Sequence, residues 1–90
     1  MFSTEELGCL DPNYFVIIVK NPYDVTIKSK NTGHYWYLHN PEYPTESSVV
    51  VYHKHRYSQP FHMHQRARSL RQAVKSIKSH DRWQMNGWKW

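Results

Sequence analysis

The chain has 90 residues, with 12 Lys and Arg against 7 Asp and Glu, a formal charge of +5 with histidine neutral; that is enough chain for one domain and not for two. No apolar run approaches the roughly 20 residues of a membrane span, and the opening Met1-Phe2-Ser3-Thr4-Glu5-Glu6 lacks the basic start and apolar stretch of a signal peptide. The single cysteine, Cys9, cannot close an internal disulfide, so the expectation is a cytoplasmic protein with a small core that a homo-oligomer or another partner helps to complete.

Residues 1–13 read as a frayed or loosely docked arm, closed by the turn signal Asp11-Pro12-Asn13. Tyr14 to Lys20 is β-branched and aromatic and apolar on both faces, which predicts a central strand covered on both sides. Asn21-Pro22-Tyr23-Asp24 is a type I turn pattern. Val25 to Lys30 alternates, and Gly33 is placed for a positive φ in a short hairpin loop. In His34 to His39, Tyr35, Tyr37 and His39 share one face; His34, Trp36 and Leu38 share the other. A polar loop follows, and then Ser48 to Arg56 forms a fourth strand with a basic end.

After Pro60 the period changes from two to 3.6. Met63, Ala67, Leu70, Val74 and Ile77 form one apolar stripe, which predicts a helix from about Phe61 to His80. A shorter helix beginning at Leu70 is signalled by the capping pattern Ser69-x-x-Gln72, but the longer one keeps a single stripe over five turns and is preferred. The expected fold is therefore α+β: an antiparallel β-meander of three to four strands with one C-terminal α-helix packed on one face. The domain would span residues 14–80, followed by a Trp-rich tail over 81–90.

The charge is distributed unevenly. Residues 1–52 carry three basic and six acidic groups, a net of −3, while residues 53–90 carry nine basic groups and one acid, a net of +8. On the predicted helix, His64, Arg68, Arg71, Lys75, Lys78 and Arg82 recur at steps of four and three and cluster within about 80° of arc, away from the apolar stripe. No Glu lies at i−4 to pair with any of them. Assisted by Lys54 and Arg56, this face points to the phosphate backbone of DNA or RNA, each Lys or Arg releasing counterions. The alternatives are docking on an acidic protein surface, as a binding module or inhibitor, and a merely solvated basic face.

Seven histidines in ninety residues is high. If residues 61–65 were extended rather than helical, a turn at 57–60 would pair His55 with His62 and His53 with His64 on one face, and zinc could bind there. That four-histidine site competes directly with the long helix. Apart from that zinc, no cofactor is expected. Tyr35 and Tyr37, beside Lys28 and Lys30, could stack bases, although packing is the commoner role of such residues. Trp83, Trp88 and Trp90 would cap the core or form a contact site.

Catalytic templates fail. There is no G-x-S-x-G, no Walker loop, no H-E-x-x-H and no C-x-x-C, so binding rather than catalysis is expected. The compact, aromatic-rich character would suit a small accessory protein of a virus or mobile element.

Overall fold

The computed structural model describes residues 1–86. A short helix α1 (Thr4–Leu7) is followed by five strands, β1 (Phe15–Lys20), β2 (Asp24–Ser29), β3 (Tyr35–His39), β4 (Val49–Lys54) and β5 (His62–Ala67), and by a long helix α2 (Leu70–Met85). The strands form one antiparallel sheet in the order β1-β2-β3-β4-β5. The α+β class and the meander are as expected, but the sheet has five strands rather than three to four.

The fifth strand comes from the segment expected to be the first two turns of the helix. His62 to Ala67 is strand, and α2 begins at Leu70, so the long helix from Phe61 to His80 does not form. The physical reason lies in the partners each arrangement offers. As a strand, the segment gives the outer edge of β4 a ladder from Val49↔Ala67 to His53↔His62. Met63, which the expected helix placed on its apolar stripe, is 55% exposed on the strand and does not join the core. Ser69 then starts α2 from an extended conformation, its side chain accepting from Gln72 N at 3.1 Å. Gln72 Oε1 in return accepts from Arg68 N at 2.7 Å, so the capping signal in the sequence marks the true helix start.

Alternation sets the two faces of the sheet. Val25 and Ile27 on β2, Trp36 and Leu38 on β3, and Val49 and Val51 on β4 are at most 1% exposed and meet Leu70, Ala73, Val74 and Ile77 of α2. The opposite face, carrying Tyr35, Tyr37 and Tyr52, has no helix over it. The N-terminal arm is docked in the core: Phe2 and Leu10 are buried with the main cluster, and Ser3 and Glu6 close a capping box around α1. The C-terminal segment continues α2 through Met85, while Trp88 and Trp90 lie outside the described residues.

β1 is an edge strand, not a central one. It pairs only with β2 and is covered on one face, leaving Val16, Ile18 and Val19 44%, 50% and 43% exposed. A bulge between Ile17 and Val19 interrupts its ladder, a common device for blunting a sheet edge. Gly33 has φ of +76° and donates to Ser29 O at 2.8 Å, the tight turn its position implied.

Candidate functional site

The sequence-predicted cationic stripe is divided by the strand. His64 stands on β5, and Arg68 lies in the connection before Ser69. Arg71, Lys75, Lys78 and Arg82 remain on α2, spaced four, three and four, and pointing away from its buried face. The last three line a groove, with Met85 on their side and Tyr14 and Asn31 on the other. Lys78 Nζ sits 5.0 Å from the Tyr14 ring centre, and Asn31 Nδ2 donates to Tyr14 Oη at 3.3 Å.

The charge of this groove is not neutralised within the molecule. Among the described residues the ion pairs are the Met1 amino group with Glu42 and His39 with Asp24, so none of the Lys or Arg side chains is held by a carboxylate. Asp81, the one acid in this part of the sequence, is fully buried. It accepts from Tyr14 Oη at 2.7 Å and from Thr32 Oγ1 at 3.1 Å, bonds that tie α2 to the loops before β1 and β3. Burial, and then the bond to Asp81, push the Tyr14 phenol up to about 12.

Lys54 and Arg56 do not extend this stripe. Lys54 Nζ caps the rings of Phe61, Tyr57 and Tyr35 at 4.4, 5.1 and 5.4 Å on the uncovered face of the sheet and donates to Tyr57 O at 2.9 Å. Tyr35 and Tyr37 lie on that same face, with Lys28 Nζ 5.4 Å from Tyr35 and Tyr37 stacked on Tyr52 at 5.4 Å. Lys30 is turned elsewhere, donating to Pro12 O. The aromatic platform and the cationic groove are therefore on opposite sides of the sheet. Tyr37 also donates to Asp24, which lies 3.0 Å from His39 Nδ1; these bonds hold the Asp24 carboxyl below its usual range.

Six of the seven histidines gather on the helix side of the sheet; His39, bonded to Asp24 beside Tyr37, lies on the uncovered face. The register pairs His53 with His62, not with His64, and a shift between Val51 and Tyr52 leaves His64 without a partner on β4. His53 is 3% exposed, stacked on Trp36 at 4.0 Å, and its Nε2 lies 3.2 Å from Nδ1 of the 8% exposed His34. His80 of α2 completes a triad in which one nitrogen from each of His34, His53 and His80 lies within 4.8 Å of the others. Among the described residues this is the one such group of potential ligands. His55, His62 and His64 stand around it, with ring centres 4.9, 5.9 and 5.6 Å from that of His53. Burial, the largest cause, and mutual repulsion lower the pKa of His34, His64 and His80 and push that of His53 down to about 3, so these rings are held neutral.

His34 and His80 are absent from the histidine set expected from sequence, although each carried a signal. His34 shares the face of Trp36 and Leu38, and His80 follows Ile77 by three residues and continues the apolar stripe. Cys9, the other potential nucleophile, is half-buried and its thiol is pushed up by burial, which favours the unreactive protonated form. Comparison with protein-family models, curated proteins and solved structures found no match.

Proposed function

We propose that the chain is a small nucleic-acid-binding accessory protein that holds a phosphate backbone along α2. The observation that carries this reading is the row Arg71, Lys75, Lys78 and Arg82, unmatched by any carboxylate among the described residues, of which Lys75, Lys78 and Arg82 line a groove. At 1.5 Å per residue the row extends about 16 Å, the axial length of roughly five base pairs. On the facing wall, Asn31 keeps a second amide N–H beyond the one it gives Tyr14, a group of the kind that commonly positions sugar and phosphate, whereas the Tyr14 hydroxyl hydrogen is committed to Asp81. The groove lining contains no carboxylate that could act as a base or hold a catalytic cation, and the raised thiol of Cys9 offers no ready nucleophile, so binding is a better reading than catalysis. Arg68, exposed at the start of α2, extends the positive surface; Lys54 and Arg56 lie off the row.

The reading predicts weak sequence preference and steep salt dependence. Four phosphate contacts give a slope near −3.6 in log K against log salt on duplex DNA, about a hundredfold loss between 50 and 200 mM. Replacing Arg71→Glu and Lys75→Glu together should weaken binding to a generic oligonucleotide at least tenfold at 50 mM while leaving the circular dichroism spectrum unchanged. Salt-independent binding, or undiminished binding by that variant, would contradict it. A stoichiometric complex with an acidic protein and no retention of nucleic acid would transfer the row to a protein-docking role.

A further inference from the structure

We propose that His34, His53 and His80 form a binding site for a zinc ion, with three imidazole nitrogens as ligands and a fourth position left to water. The site is independent of the cationic groove and was not legible as the four-histidine set expected from sequence.

Three observations lead there. The first is spacing. Ligands 2.0–2.1 Å from a tetrahedral zinc lie about 3.3–3.4 Å apart. His34 Nδ1 and His53 Nε2 are already 3.2 Å apart, and His80 completes the set within 4.8 Å, so closing the triangle asks a shift of at most about 1.5 Å at its ring. The second is unmet hydrogen bonding. One hydrogen bond joins His34 and His53, whereas His80 Nδ1 is buried with no hydrogen-bond partner among the described residues. A buried polar atom left in that state is costly, and a cation gives each of the three nitrogens a use for its lone pair. The third is rigidity. His53 is stacked on Trp36, which is itself fixed by donating to Ser29 Oγ at 3.1 Å, and the three ligands come from β4, the loop before β3, and α2.

The surrounding rings define the rest of the site. His55 stacks on His34 at 4.2 Å with 10° between planes, presenting its face rather than a nitrogen. His64, outside the β4 ladder, is exposed, with its ring centre 5.4 Å from that of His80. Three neutral imidazoles suit zinc, whereas magnesium and calcium require oxygen ligands. Trp36 and the core beneath it exclude water from one side, a shell of the kind that controls solvent access to a metal.

The test is calorimetric titration of the full chain, purified without an affinity tag and stripped with a chelator, with Zn²⁺ and separately with Mg²⁺. The proposal expects one Zn²⁺ per chain, no uptake of Mg²⁺, and a Tm raised by roughly 10–20 °C at a hundredfold excess over Kd. Cobalt in place of zinc should give the visible absorption of a four-coordinate ion. His80→Gln, on a half-buried position of α2, should weaken zinc binding more than about a hundredfold, beyond what loss of an outer partner costs, while the metal-free variant keeps the parental circular dichroism. His55→Gln with His62→Gln should leave affinity within about threefold. Absence of zinc binding would overturn the proposal. So would loss confined to the His55 and His62 variant, which would assign the metal to the strand pair instead.

Discussion

Asp81 shows how a single residue can reverse its expected role. By sequence position it is the one acid placed to temper the cationic row. It turns inward instead, with no exposed surface, and joins Tyr14 and Thr32 to α2. Its place was readable, since it follows Ile77 by four residues and so falls on the apolar stripe, but its partners come from residues 67 and 49 positions away and no local pattern predicts them. Tyr14→Phe should cost about 1 kcal/mol at neutral pH by leaving the buried carboxylate one donor short. The same variant should change the alkaline limb. The Tyr14 pKa is raised in the folded state, to about 12 against about 10 unfolded, so its contribution is full below pH 10 and is lost between pH 10 and 12. Tyr37 is raised to about 12 as well, so Tyr14→Phe should make the fall in Tm across that range shallower without abolishing it. An unchanged alkaline profile would mean that the Tyr14–Asp81 bond does not matter to stability.

At the scale of elements, the first four strands could be read from alternation and turn residues, whereas His62 to Ala67 could not. Its histidines, Gln65 and Arg66 carry almost no apolar pattern of their own. A stripe running through Met63 and Ala67 into Leu70 imitates a helix by chance of spacing. What decides the matter is non-local: β4 offers a free edge, and backbone groups along it need partners. The local signal that did hold was the cap at Ser69. Ser69→Ala should lower Tm by roughly 4–8 °C, corresponding to about 1 kcal/mol for a lost N-cap in a domain of this size; a Tm within 1 °C of the parent would mean that α2 is held by packing alone. The edge position of β1 was hidden for a similar reason. An apolar run identifies a strand, but only the order of the sheet says whether both of its edges are paired.

For the molecule as a whole, the sheet separates three chemistries. Its uncovered face carries Tyr35, Tyr37 and Tyr52 with Lys28 and Lys54. Its covered face holds the histidines around Trp36, and the outer side of α2 carries the cationic row. Net charge by itself did not separate these; the described cations of the C-terminal part are spread over β4, β5, α2 and the connections between them, and only the fold shows which of them stand together. The histidines were legible as a count and not as a site, because His34, His53 and His80 are brought together by the loop before β3, by β4 and by α2 rather than by spacing in one segment. Nucleic-acid contact along α2 and base stacking on the uncovered face predict footprints on opposite sides of the sheet. Backbone amide shifts recorded during titration with a short oligonucleotide separate them. The largest changes should fall at residues 71–82, with Tyr14 and Asn31, and residues 35–37 and 52–54 should stay in place; shifts centred on Tyr35, Tyr37 and Lys54 with α2 unaffected would contradict the assignment of α2 as the binding surface.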